Sequence, residues 1–307
     1  MTSRFDAIDL GAVPVPDIIE TLEFEAILAE RKAEAQAAFE AAGILPDWNP
    51  DLESDPIVKL LEQSAYREVV LRQRVNDAAR AVMLAHAKGK DLENIGARYH
   101  VVRQTIEPGD ATAVPPVEPV MESDPAFLTR ILLAFEALSV AGPIGAYKFH
   151  ARSAHPLVLD VDVVSPEPGH VVVTVMAATE SGIPSEEVLD AVRNALSHDD
   201  VCPLTDMITV QAASAINYDL KAVLEVYGGP DKDVVRTASE SGLNAFLAQQ
   251  RRLGEPVTID GVHKAARVDG VRKATAYRAD GETAFSDIVP TNSQFPNCTG
   301  ISVEVAE

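Results

Sequence analysis

The chain has 307 residues, 47% of them apolar and 24% charged, a balance that builds a sizeable buried core and excludes global disorder. At about 100 to 200 residues per domain, that length predicts two or three domains. The 47 acids against 26 bases leave a net charge of −21, which repels phosphate backbones and anionic headgroups and argues against nucleic acid and membrane as partners.

No apolar run approaches the ~18 to 20 residues of a membrane span, and Met1 to Asp6 does not lead into an apolar signal segment. The chain is therefore expected to stay in the compartment where it is made. Cys202 and Cys298 are too few for a disulfide framework and fit a reducing cytosol, with one bond between them left open.

From the start, Met1 to about Pro14 reads as an irregular arm, stiffened at its exit by Pro14-Val15-Pro16. A helix follows from Asp17 to Ala42, stopped by Gly43, with alanines (Ala29, Ala33, Ala35, Ala37, Ala38, Ala41) that form a small-residue face for close approach of another helix. Pro46-Asp47-Trp48-Asn49-Pro50 turns the chain. Ser54-Asp55-Pro56 then opens a second helix, expected to run unbroken to Lys88 because no Gly or Pro intervenes before Gly89. Its apolar residues recur every three or four positions, and at 1.5 Å per residue it is roughly 50 Å long, more than a compact domain of this size needs. Part of it is expected to pack outside its own domain. Arg67, Arg72, Arg74 and Arg80 lie on it, and Arg72, inside the apolar stripe, is a candidate for a buried or interfacial carboxylate pair. Asp91 to Tyr99 supplies a short third helix, completing a helical bundle over residues 1–103.

Residues 104–120, with Pro108, Pro115, Pro116 and Pro119, read as a linker or extended strap. Glu122-Ser123-Asp124-Pro125 repeats Glu53-Ser54-Asp55-Pro56 and starts a helix through Phe127, Ile131 and Leu138. Residues 121–214 then alternate helix and strand, with strands over Leu157–Val164, Val171–Met176 and Met207–Gln211 and a helix over Ser185–Leu196. Residues 215–307 repeat the theme with a strand Ile216–Tyr227, helices Asp231–Leu253 and Asp260–Arg267, and strands Arg272–Tyr277 and Ile301–Val305. The fold class is α+β: a long-helix bundle followed by two small α+β domains with mainly antiparallel sheets. Lys148–Val164 and Val262–Tyr277 both place a short helix before a strand, a weak internal repeat.

Catalytic signatures are scarce. His150 and His155 are the closest histidines but do not share a helical face, and no metal-ligand cluster is spaced for binding. Gly142-Pro143-Ile144-Gly145 lacks a phosphate-cradling ending and reads as a turn into a helix. Asp160 and Asp162 share one strand face, as acid–base catalysis requires, yet a solvated face explains them better. Asp260-Gly261, Asp269-Gly270 and Asp280-Gly281 read as turns, and Asn297-Cys298-Thr299 as a loop. No catalytic or metal residue is assigned and no cofactor is expected.

Pro16-Asp17 and the stretches Leu22–Lys32, Leu60–Glu68, Arg72–Ala85, Asp91–Ala97 and Val140–Tyr147 closely resemble the baseplate J-like proteins of contractile phage tails. The likeness covers essentially the whole chain and weakens after about residue 285. It implies a structural wedge subunit without enzymatic activity, assembled in the bacterial host cytoplasm into the tail baseplate of a virion or a phage-derived particle. The implied partners are a second copy of the chain, a tail protein I-like subunit, neighbouring wedges around the central hub and spike, and a further wedge protein that links the ring to the sheath. A baseplate-associated cell-wall hydrolase is the alternative. Inter-subunit packing is expected through Leu60, Leu61, Ala65, Tyr66, Val69, Arg72, Val75 and Val82, with Tyr66 and Arg72 as anchors.

Overall fold

The computed structural model describes residues 14, 16–139, 142–198, 201–203, 205–229 and 231–306. Nearly all of the expected N-terminal arm lies outside them. The chain divides into a helical unit ending at Val102 and a larger α+β unit that takes in residues from Arg103 onward.

The helical unit has three helices, α1 (Phe24–Ala42), α2 (Pro56–Ala81) and α3 (Gly89–Ala97). Gly43 closes α1 in the left-handed region at φ 66°, its N–H reaching the carbonyls of Phe39 and Glu40, and Phe39 meets Trp48 edge-on at 5.1 Å. Asp55 caps α2, its carboxylate accepting from Ile57 N at 2.7 Å, and Pro56 takes the first helical position. Asp17 does not start α1. Residues Asp17–Glu23 stay outside the helix, with a single turn from Ile19 N to Pro16 O.

The second helix is shorter than expected, 26 residues or about 39 Å, and ends at Ala81, with Val82 as its cap residue, rather than at Lys88. No breaker residue ends it. Met83 N turns back to Arg80 O, and the N–H groups of His86 and Ala87 both reach Met83 O, folding the chain so that Ala87, Leu92, Ile95 and Val101 are buried. Burial of those apolar groups outweighs a few tenths of a kcal/mol per residue of helix propensity.

Residues 104–120 form a short antiparallel ribbon, β1 (Thr105–Glu107) with β2 (Val120–Met121), extended by mutual Asp110–Val117 hydrogen bonds of 2.8 and 2.9 Å. Asp110 organises its turn by accepting from the N–H (2.8 Å) and hydroxyl (2.6 Å) of Thr112, which holds its carboxyl below the usual carboxylate range. A Cβ at Gly109 would meet Val117 O at 2.5 Å, so only glycine fits there. The base of the ribbon is anchored. Arg130 pairs with Glu122 at 2.7 Å, both side chains being buried, and Arg103 donates to Glu122 O and Asp124 while lying over the Phe127 ring at 4.8 Å.

Helices α4 (Asp124–Leu133) and α5 (Ile144–Ala154) precede a three-stranded sheet of order β3-β4-β5. The strands β3 (Val158–Glu167) and β4 (His170–Ala177) pair antiparallel, whereas β5 (Met207–Ala212) returns through α6 (Glu186–Leu196) to lie parallel to β4. Tyr147, Val161, Val173, Val175, Val192 and Leu196 fill its core. The second sheet has order β7-β6-β8, with β6 (Ser214–Val226) antiparallel to β7 (Val271–Tyr277) and parallel to β8 (Gln294–Val305); α7 (Lys232–Gln250) and α8 (Ile259–Ala266) accompany it. Both three-stranded sheets are therefore mixed, each flanking its central strand with one antiparallel and one parallel neighbour. The short helix before the antiparallel edge strand recurs as α5–β3 and α8–β7, but the central strand follows that pair in the first sheet and precedes it in the second.

The two sheets share a spine, since β5 and β6 are separated only by Ala213. Ala213 N donates to Val175 O at 2.9 Å and Ser214 N to Ser293 O at 3.0 Å, so the strand changes partner between consecutive residues. Phe295 packs with Met176 and Ala213, Arg251 reaches Thr179 O at 3.1 Å, and Asp160 accepts from Leu253 N at 3.1 Å. Residues 121–214 and 215–307, expected as separate domains, are built around this common strand.

Asn297-Cys298-Thr299 lies within β8 rather than a loop, with Asn297 donating to Asn217 at 2.9 Å. Asp260-Gly261 sits in the first turn of α8, where Thr258 accepts from Gly261 N, because the cap bond favours a helix start over a turn. Gly270 and Gly281 do adopt positive φ.

Candidate assembly surface

The α1–α2 pair is held by a small apolar cluster and a polar ladder. Ile27, Leu28 and Ala65 are buried together, with Phe24, Leu61 and Val69 packed around them. Glu68 of α2 accepts from Arg31 of α1 (Nε, 3.0 Å) and pairs with Arg72 at 2.7 Å, while Arg72 also reaches Glu20 at 3.4 Å. The two guanidinium groups, Arg31 foremost through its hydrogen bonds, hold the Glu68 carboxyl below its ordinary value. Asn76, only 2% exposed, clamps the chain ahead of α1 by accepting from Glu20 N (3.1 Å) and donating to Glu20 O (2.9 Å).

This geometry divides the sequence-predicted partner residues. Ala65 is fully buried, and Leu61 and Val69 face the same intrachain cluster, so these three serve α1 of their own chain. Arg72 is half-exposed and ion-paired within the chain. The others point outward: Leu60, Val75 and Val82 are 66, 58 and 65% exposed, and Tyr66 is similarly open. Leu71, missed by the sequence reading, is 68% exposed. At ~100° per residue, Leu60, Leu71, Val75 and Val82 fall within about 60° of one another, and Val58, Ala65 and Asn76 lie roughly 80° or more away. The periodicity carries the signal, but a single three-four rhythm does not separate the two apolar faces of this helix.

Arg67 and Arg74 lie along one edge of the outer stripe and have no side-chain partner among the described residues. Near the start of α2, Phe24, Pro56, Leu60 and Tyr66 line an open groove of about 750 Å³, rimmed by the Lys59–Glu62 ion pair at 2.9 Å.

The groups considered for chemistry are occupied otherwise. Asp160 pairs with Arg152 at 2.7 Å and Asp162 with Lys148 at 3.4 Å, so the two carboxylates are tied to cations on α5. Burial lowers the His150 pKa, its ring meeting Phe149 edge-on, and His155 Nδ1 accepts from Leu157 N. Tyr147 donates to Asp206 at 2.6 Å beneath Gly142, whose φ of 73° makes the turn into α5. Burial, followed by that bond, raises the phenol pKa. Cys202 and Cys298 are free thiols. Among the described residues no group of three or more His, Cys, Asp or Glu is placed to hold a metal ion, and no helix is long and apolar enough to cross a membrane.

A helix with one face satisfied within the chain and another left apolar and open, joined to an internally packed α+β unit, is the build of a structural subunit for a larger assembly. Residues 53–110 match the family model of the baseplate J-like N-terminal domain, and residues 139–212 that of the baseplate J-like central domain. Baseplate protein J of Escherichia phage P2 is 45% identical over 293 residues, covering 95% of each chain. The chain belongs to the baseplate J-like family of structural baseplate proteins. Among solved structures, a chain of the anti-feeding prophage baseplate aligns with 60% of this chain and 43% of its own length, at 15% identity and a TM-score of 0.37.

Proposed function

We propose that the chain is a wedge subunit of a contractile-tail baseplate, in which two copies join a tail protein I-like subunit and the resulting wedges ring a central hub and spike. A further wedge protein links this ring to the sheath. The outer face of α2 is the assembly contact, and the observation that carries this reading is the exposed stripe Leu60, Leu71, Val75 and Val82. Full burial of an aliphatic side chain contributes about 1.5–3 kcal/mol, so finishing the burial of these four supplies roughly 4–8 kcal/mol. Association costs about 4–15 kcal/mol. The stripe alone therefore suits a contact within a multi-subunit particle, where several faces act together, better than an isolated tight dimer.

Helical contacts of this kind persist through contraction in our reading, and contacts made by the α+β unit are those exchanged when the ring opens. The test is Leu71→Asp combined with Val75→Asp, both at exposed positions that leave the chain's own core intact. Co-expressed with its tail protein I-like neighbour, the variant is expected to elute alone on gel filtration and to be missing from purified baseplates. Normal incorporation would remove α2 from the assembly role.

A further inference from the structure

The outer face of α2 is cationic as well as apolar. Pro56–Ala81 carries Lys59, Arg67, Arg72, Arg74 and Arg80 against Glu62, Glu68 and Asp77, a net positive helix in a chain of net charge −21. Glu68 is engaged with Arg31 of α1, and Arg72 with Glu68 and with Glu20 ahead of α1, which leaves Arg67 and Arg74 beside the apolar stripe, two helical turns apart and without a side-chain partner among the described residues.

The complementary surface lies on α1. Ala26, Ala29, Ala33, Ala37 and Ala41 are exposed along a face centred roughly 150° from the mean direction of Ile27 and Leu28, and Glu30 and Glu40 lie among them. Neither glutamate has a side-chain partner among the described residues. Small side chains let a second helix approach closely, so large aliphatic groups can seat between them as ridges enter grooves. Glu30 and Glu40 are nearly three turns apart, and the long arginine stems span the difference from the two-turn spacing of Arg67 and Arg74. The 19 residues of α1 are about 28 Å long, comparable with the ~33 Å from Leu60 to Val82.

Resting on the assembly role above, we propose that the outer face of α2 in one copy docks on the alanine face of α1 in a second copy, with Leu71 and Val75 over Ala33 and Ala37 and with Arg67 and Arg74 beside Glu30 and Glu40. The two faces are different surfaces, and the alanine face of α1 points away from its own α2. The contact is heterologous. In a pair of copies it leaves one α2 face and one α1 face unused, so the copies are inequivalent and the free α2 face is open to a different subunit. Guanidinium–carboxylate pairs at the edge of such a contact set register and partner choice more than affinity.

The test is charge reversal and its rescue in trans, read by sedimentation velocity of the full chain over about 1–200 μM. Wild type is expected to associate with concentration. Arg67→Glu with Arg74→Glu, and separately Glu30→Arg with Glu40→Arg, should each weaken self-association about tenfold or more, and an equimolar mixture of the two variants should recover association as a 1:1 pair. All four positions are exposed, and circular dichroism checks that each variant keeps its helices. A wild-type chain that stays monomeric throughout, or a mixture no better than either variant alone, overturns the proposal. If the mixture fails while Leu71→Asp with Val75→Asp is still excluded from baseplates, the assembly role stands and the occupant of α2 is not α1 of a second copy.

Discussion

The 26-residue helix α2 buries three side chains, Val58, Ala65 and Asn76, while the 13-residue strand β6 buries four, Tyr218, Leu220, Ala222 and Leu224. The strand is covered by its own chain: α7 and α8 bring Val235, Leu243, Leu247 and Val262 into its core, and β7 and β8 complete its hydrogen bonding. Among the described residues α1 packs against one face of the helix, and aliphatic groups remain open on another. Burial of apolar surface is the dominant favourable term in both folding and association, so the contrast separates a region whose apolar surface is covered within the chain from one that leaves apolar surface open.

The largest expected effect lies in the self-sufficient unit. Arg130→Met leaves Glu122 buried without its cation and should cost about 3–5 kcal/mol of stability in urea denaturation. Next comes Leu243→Ala, fully buried on α7, with an expected loss of about 2–5 kcal/mol by the same measurement. Leu71→Gln on α2 removes comparable apolar surface yet should change the stability of the isolated chain by no more than about 0.5 kcal/mol. A Leu71→Gln loss as large as that of Leu243→Ala would erase the distinction between the two regions.

The smallest effect concerns pH. The Glu68 carboxyl titrates below its ordinary value of 4.5, so its contribution to the α1–α2 pair is fully present above that value and is lost as pH falls through the depressed one. Acidification below about 4.5 should loosen the pair, seen as faster amide exchange around Ala65, and Glu68→Gln should flatten that dependence. An unchanged profile in the variant would show that the ladder does not couple α1 to α2.

Much of this architecture was legible in residue order. Asp55-Pro56 marks a helix start because a carboxylate and an imino acid suit the free N–H groups of a first turn, and Gly43 marks an end because it alone adopts φ 66° without penalty. The identical tetrad Glu122-Ser123-Asp124-Pro125 behaves differently in detail. Its helix begins at Asp124 with Ser123 as the cap residue, since Asp124 is drawn into an ion pair with Arg103. The early end of α2, the ribbon at 105–121, the parallel return of β5 and the extension of β8 back to Gln294 were not legible, because each depends on groups brought close by distant parts of the chain.

The assembly surface illustrates the same division. A three-four rhythm from Ile57 to Val82 established by itself that α2 is a helix with more apolar surface than one small bundle uses, and dispersed histidines with two cysteines left no metal cluster to be read. Only the tertiary structure decided which residues the chain keeps for itself. Ala65, Leu61 and Val69 turn inward because α1 meets them there, whereas Leu60, Leu71, Val75 and Val82 lie on a face of α2 that α1 does not reach and stay exposed. Periodicity reports that a side chain lies on a helix face; which face is covered depends on where the rest of the polypeptide goes.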